Sequence, residues 1–188
     1  MSDAAGRVFE QLLVLRCQTG DEAALGELIA RYSPGLRFFL RKMTGNDAAV
    51  DDLLQETWFD VYRKVNGLRQ PGAFAAWLYR IARDKAYREM RRRPAPHSAV
   101  DENITELVAT DEKQFASVEA DAVRAALDEL PEEQREVLAL RFIEEMSYEQ
   151  IAEVIARPLG TVRSRIYYAK LALRAKLEIE PSQKEIPS

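Results

Sequence analysis

The side chains best suited to chemistry lie near the carboxyl end, where basic residues accumulate without acids. Between Val154 and Leu177 there are six Lys or Arg residues and no Asp or Glu. The preceding stretch, Glu119–Glu153, has eleven acidic and three basic residues. A basic helix after an acidic scaffold is typical of a helix that binds the phosphates and base edges of DNA. A helix with a solvated charged face is the plainer alternative.

Three helices are predicted over residues 130–177, and the last two form a helix-turn-helix. Pro131 suits a first helical position, and Ser147 with Gln150 three residues later is a capping-box signature. A short turn at 157–158 leads into the third helix. The apolar residues of this helix recur at steps of three and four: Leu159, Val162, Ile166, Ala169, Leu173 and Leu177. The tight turn and the capped second helix favour DNA over a merely solvated surface.

Helical geometry sorts the side chains of the third helix by direction. With Val162 as the core direction and about 100° per residue, Ser164 points about 160° away, Tyr167 about 140° and Tyr168 about 120°. These three are predicted to face the groove and read bases. Arg163, at about 100°, lies on the flank, within reach of a guanine edge or a phosphate.

Three further polar residues of this helix are predicted to contact phosphates. Arg165 points only about 60° from the core direction and Lys170 about 80°, so both should reach sideways. The Thr161 hydroxyl lies at the helix start, where backbone N–H groups also favour an anion.

Composition excludes several other classes of protein. The chain has 188 residues, of which 47% are hydrophobic and 31% charged, enough for one large or two small domains. One Cys and one His argue against a disulfide framework or a Cys/His zinc site. No phosphate-binding glycine loop or nucleophile–base set indicates an enzyme. Without a signal peptide or an apolar run long enough for a bilayer, we expect a cytoplasmic protein with no cofactor, metal or membrane insertion.

The amino-terminal half is predicted to form its own helical domain. Gly20 closes a first helix, Asp21 caps a second, and Pro34 marks a kink or a restart. Helical spacing places Trp58 and Tyr62 on the inward stripe of a longer helix. The predicted helices are Val8–Thr19, Glu22–Arg31, Leu36–Met43, Asp47–Val65 and Ala73–Arg92.

The change from acidic to basic occurs a second time in this half. Residues 43–62 contain five acids and no base, whereas residues 63–93 contain ten bases and two acids. The acidic helix suits docking on a basic protein surface. The basic helix, with aromatic residues nearby, suits single-stranded DNA, because phosphates bind the cations and bases stack.

The predicted organisation is two small all-α domains joined by a flexible acidic linker. The first domain covers residues 8–93 and the second residues 118–178. The linker, 94–117, opens with Pro-Ala-Pro, and residues 179–188 form a tail.

In this order and size, these parts resemble the extracytoplasmic-function (ECF) class of bacterial RNA polymerase sigma factors, in the sigma-70 family. The resemblance covers about residues 9–177. It rests on four segments in register: DLLQET at 52–57, AWLYRIAR at 76–83 running to Arg91–Arg93, LPEEQR at 130–135, and SYEQIA at 147–152 with GTVRSR at 160–165.

The resemblance implies a transcription initiation factor that binds core RNA polymerase and promoter DNA. Residues 8–93 (region 2) would dock on the polymerase clamp helices and capture the melted −10 element. Residues 118–178 (region 4) would bind the duplex −35 element and the polymerase flap. The linker would thread toward the active-site and RNA-exit channels, and an anti-sigma factor is a candidate further partner.

The implied contact residues fall into three groups. Polymerase binding is assigned to Asp51, Asp52, Leu53, Gln55 and Glu56. The −10 contacts are the loop residues Asn66, Gly67, Leu68, Arg69 and Gln70, with Arg80, Lys85, Arg88 and Arg92 as a phosphate track. The −35 contacts are Thr161, Arg163, Ser164, Arg165, Tyr167, Tyr168 and Lys170.

Two residues depart from the family pattern. Asp84 stands where the family usually has Asn, which puts an acid in a basic helix expected to face DNA. Ala156 stands where the family usually has Gly, at the turn of the helix-turn-helix. If that turn needs a left-handed residue, Ala costs about 1 kcal/mol relative to Gly.

Two other functions compete with this interpretation. A sigma mimic would sequester an anti-sigma factor without binding DNA, but it would not need the basic residues of the third helix. A one-component helix-turn-helix repressor would use its first domain to dimerise or to bind a ligand. The acidic-to-basic change within that domain and the lack of a ligand-binding constellation speak against it.

Overall fold

The computed structural model describes residues 4–92 and 120–177, which form eight α-helices and no strand. The helices are α1 (Ala4–Gln18), α2 (Glu22–Thr44), α3 (Asp47–Lys64), α4 (Phe74–Arg92), α5 (Ala120–Asp128), α6 (Glu132–Leu138), α7 (Tyr148–Ile155) and α8 (Leu159–Lys176). Short 3-10 turns at Val65–Gly67 and Pro71–Ala73 connect α3 to α4. A π-helical segment, Ala139–Ile143, follows α6. The predicted all-α class is confirmed, while the predicted linker and tail lie outside the described residues.

Helix α2 is the centre of the first bundle and contacts α1, α3 and α4. Its apolar residues, among them Leu28 and Phe39, are fully buried. Phe39 packs edge-on against Tyr79 of α4, with 5.4 Å between ring centroids. The Asp21 side chain accepts hydrogen bonds from the first turn of α2, and Gly45 ends the helix in the left-handed conformation.

The restart predicted at Pro34 is wrong, because α2 is a single helix that contains this proline. An interior proline costs roughly 3 kcal/mol through a lost hydrogen bond and a clash of its ring. Leu28 before it and Leu36 after it are both completely buried in the same core. Burial on both sides therefore outweighs the local cost.

The second group of helices is built around α8, which contacts α5, α6 and α7. Its predicted inward stripe is confirmed, since Val162, Ile166, Ala169 and Leu173 are buried. Helix α5 was not predicted as an element. Ala126 and Leu127 of α5 are buried, although acidic residues dominate the surrounding sequence.

The two groups of helices contact each other directly. Helix α4 packs against α7, and α2 packs against α6. Ion pairs cross this interface, from Lys42 to Asp128 and from Arg83 to Glu136.

Candidate nucleic-acid and polymerase interfaces

The turn before α8 sets the direction of this helix. The Ser147 hydroxyl accepts from the Gln150 backbone and the Gln150 side chain accepts from the Ser147 backbone, which confirms the predicted capping box. At the other end of α7, Ala156 has φ 52° and ψ 48°, in the left-handed region. The turn therefore does need a left-handed residue, and Ala156 carries the backbone strain that glycine would avoid.

The solvent-facing side of α8 combines a cation with aromatic and aliphatic groups. Arg163 is exposed, and Tyr168 and Leu171 retain 41% and 42% of their accessible surface. Tyr167 is half-buried and packs edge-on against Tyr168, with ring centroids 5.5 Å apart. Leu171 was missed by the sequence reasoning, although it lies one turn beyond Tyr168 and off the apolar stripe. An exposed leucine here can contact a thymine methyl group.

The remaining residues predicted for the −35 element are held by the protein itself. The Ser164 hydroxyl donates to the Thr161 carbonyl at 3.0 Å, and the Thr161 side chain is buried. Arg165 pairs with Glu133 at 3.1 Å. Lys170 is 3% exposed and its ammonium lies 5.2 Å from the Phe142 ring centroid. In this arrangement neither Arg165 nor Lys170 extends to solvent, so Arg163 is the most accessible cation of the predicted set.

The loop between α3 and α4 presents its polar residues outward. Asn66, Gly67, Arg69 and Gln70 are exposed, whereas Leu68 packs against the core. The predicted set therefore divides into an anchor, Leu68, and four outward residues.

One residue that the sequence reasoning missed holds this loop. The Gln18 amide nitrogen, at the end of α1, donates to the Val65 carbonyl at 2.8 Å and to the Leu68 carbonyl at 2.7 Å. These two carbonyls flank Asn66 and Gly67. A lone glutamine gives no charge or periodicity signal, so nothing in the sequence pointed to it.

The predicted phosphate track on α4 is partly occupied by acids of α3. Arg80 and Arg88 are exposed and form no ion pair within the described residues. Lys85 pairs with Asp60 at 3.0 Å and Glu56 at 3.3 Å. Arg80 and Arg88 are thus the more available cations, with Arg92 exposed at the helix end.

The residues predicted to bind polymerase comprise four exposed residues and one buried residue. Asp51, Asp52, Gln55 and Glu56 are exposed on α3, but Leu53 is only 7% exposed and belongs to the core. Leu53 therefore supports the surface from below. Glu56 is shared with Lys85, and Asp51 forms an ion pair with Arg37.

Two exposed aromatic residues extend this acidic surface along α3. Phe59 is 60% and Tyr62 59% exposed, one and two turns beyond Gln55. The prediction that Tyr62 faces inward is wrong, because Val61 and Val65 supply the core contacts at that end. Exposed apolar groups beside polar ones are typical of protein-binding sites. The sequence reasoning did not assign Phe59, although its position one turn after Gln55 places it on the same outward face.

Three carboxylates of the second group of helices meet polar partners of the first. Arg83 of α4 pairs at 2.6 Å with Glu136 of α6, whose side chain is completely buried. The Tyr87 hydroxyl donates to the same carboxylate at 3.3 Å. Burial raises the pKa of Glu136, and the Arg83 guanidinium opposes that rise.

The other two contacts involve Asp128 and Glu144. The Lys42 ammonium, almost buried, reaches Asp128 at 2.7 Å. The Tyr79 hydroxyl donates to Glu144, and burial raises the pKa of that carboxyl. Gly35 of α2 leaves room for this contact, since a Cβ there would lie 2.5 Å from a Glu144 oxygen and 2.7 Å from the Tyr79 oxygen.

Residues 4–92 and 120–177 contain neither a membrane-spanning helix nor a metal-binding cluster. No helix there has the length and apolarity needed to cross a membrane. The same residues contain no cluster of His, Cys, Asp and Glu suited to a metal ion.

Family models match both groups of helices. The model for sigma-70 region 2 matches residues 28–94, and the model for sigma-70 region 4 matches residues 120–173. The second match includes α5, the helix that was not predicted.

Curated relatives match along almost the whole chain. An ECF RNA polymerase sigma-E factor from Haemophilus influenzae is 35% identical over 187 residues, covering 93% of this chain and 98% of the relative. The sigma-E factor of Escherichia coli is 33% identical over 181 residues, with 90% and 94% covered.

Two solved structures have a similar arrangement of helices. CnrH, solved in complex with the cytosolic domain of CnrY, is 26% identical, has a TM-score of 0.68, and covers 92% of this chain and 99% of its own. The sigma factor RpoE of Bartonella quintana, solved with the anti-sigma factor NepR, is 27% identical, has a TM-score of 0.65, and covers 83% and 98%.

Proposed function

This chain belongs to the ECF class of RNA polymerase sigma factors, which initiate transcription, and we propose that three of its surfaces divide that work. One surface binds core polymerase and the other two bind promoter DNA. The chain acts in the cytoplasm as a binding factor and catalyses no reaction itself.

Helix α8 reads the −35 element in the major groove. Tyr168 and Tyr167 contact bases, and Arg163 contacts a guanine edge or a phosphate. Ser164 contacts a base as an acceptor, because its hydroxyl donates to the Thr161 carbonyl. The exposure of Arg163 and Tyr168 on one side of α8 supports this assignment. Arg165 and Lys170 serve as phosphate contacts only after they leave Glu133 and the Phe142 ring, so their contribution is smaller than that of Arg163.

The loop at 66–70 captures a base of the melted −10 element. Arg80 and Arg88, exposed along α4, bind the phosphates of the same strand. Lys85 joins the track only after it leaves Asp60 and Glu56, and Arg92 extends the track at the end of α4.

The outward face of α3 docks on the clamp helices of polymerase. Asp52, Gln55 and Glu56 offer acceptors to basic side chains, and Phe59 and Tyr62 add apolar area. Because solved relatives are complexes with anti-sigma domains, we further propose that an anti-sigma factor restrains this chain by covering such surfaces.

The observation that supports the proposal is the presence, in one chain, of an exposed acidic and aromatic face on α3 and of exposed basic residues on α4 and α8. The test is charge reversal on α3, with Asp52→Lys and Glu56→Lys combined. Affinity for core polymerase should be lost while helicity stays unchanged. Glu27→Lys, a charge reversal at an exposed acid of α2, is the control. Equal affinity of the α3 variant and the control variant for core polymerase would overturn the docking assignment.

A further inference from the structure

The Gln18 side chain holds the loop at 66–70, and the inference drawn from this contact rests on the function proposed for that loop. The Gln18 amide has two N–H groups, and both are used, one on the Val65 carbonyl and one on the Leu68 carbonyl. The Leu68 backbone N–H also donates to the Val65 carbonyl, at 3.0 Å, which closes a tight turn. Three hydrogen bonds thus fix the ends of the segment that carries Asn66 and Gly67.

We infer that Gln18 is a positioning residue for capture of the −10 base. A loop that is already fixed does not lose conformational freedom when the base enters, so the fixed geometry favours capture. Gln18 itself is half-buried at the end of α1 and lies behind the loop. It therefore acts through the backbone and does not contact the base.

The test is Gln18→Glu, which keeps the shape of the side chain and replaces two donors by acceptors facing two carbonyls. Transcription from a duplex promoter should fall on the order of tenfold, in line with the loss of two hydrogen bonds. The defect should shrink on a template that is already melted at −10. Gln18→Lys, which restores a donor, should recover part of the activity. Gln11→Glu, the same change on α1 at a residue without a hydrogen bond to the loop, is the matched control.

Several outcomes decide this inference. Duplex transcription by Gln18→Glu within twofold of the control would overturn it. An equal loss on both templates with weaker core binding would also overturn it, since that indicates a purely structural role. A variant with residues 66–70 replaced by Gly/Ser serves as reference. If this loop variant transcribes normally, the function proposed for the loop is wrong. If the loop variant is defective and Gln18→Glu is not, only the inference about Gln18 is wrong.

Discussion

Replacing Ala156 by glycine should stabilise the protein, although glycine usually weakens helical structure. Ala156 is exposed at φ 52°, so its methyl group has little packing to lose. The left-handed conformation costs a residue with a Cβ about 1–2 kcal/mol. Glycine avoids this cost, but it also makes the unfolded chain more flexible, which lowers the free energy of unfolding by about 0.4–1 kcal/mol. We expect a net increase of about 0.5–1 kcal/mol in the free energy of unfolding.

Urea unfolding of the full chain, followed by circular dichroism, measures this difference. The matched control is Ala152→Gly in the interior of α7, where right-handed helical backbone gives glycine no advantage. That variant should lose about 1 kcal/mol. If Ala156→Gly is destabilised as much as Ala152→Gly, the left-handed strain assigned to the turn does not exist.

Three further predictions concern α7, α8 and the interface. Ser147→Ala should lower the free energy of unfolding by about 1 kcal/mol, because it removes the cap of α7, and urea unfolding tests this. Tyr168→Ala should change the −35 sequences selected from a random library, at about 1–3 kcal/mol per lost base contact; an unchanged consensus would remove Tyr168 from the readers. Burial raises the pKa of Glu144, so its contribution to stability is complete below the usual Glu pKa and is lost as pH rises through the raised value. As pH rises above the usual Glu pKa, Glu144→Gln should therefore show a smaller loss of stability than the parent in urea unfolding, and identical slopes would contradict the shift.

Local features of the fold could be predicted well from the sequence. The capping box at Ser147, the cap at Asp21 and the inward stripe of α8 each depend on residues within a turn or two of one another. Such signals are read directly from spacing, because the hydrogen bonds or the shared face involve the same helix. The acid-to-base changes along the chain likewise pointed to α4 and α8, the two helices proposed to face DNA.

Side-chain direction on a helix proved a weaker guide to accessibility. A rotation of about 100° per residue places Lys170 on the flank of α8, yet it is buried beside Phe142. Tyr62 was placed inward but is exposed. Leu53 was assigned to the docking surface by the family resemblance, although helical spacing places it inward, and it lies in the core. Each outcome depends on what a neighbouring helix covers, which the pattern of one helix does not contain.

Contacts between distant residues were not predictable at all. Gln18 and Val65 are separated by 47 positions, and Arg83 and Glu136 by 53. Arg83 belongs to a basic run and Glu136 to an acidic one, so composition indicated a solvated or DNA-facing role for the first. Only the packing of α4 against the second group of helices pairs them.

The central claim is that this sigma factor directs core polymerase to promoters through α3, the 66–70 loop and α8. Run-off transcription with core polymerase on a fragmented genomic library tests it most directly. We predict transcripts that begin downstream of one shared pair of −35 and −10 elements and that disappear with Asp52→Lys and Glu56→Lys combined. Transcripts no different from those of core polymerase alone would contradict the account.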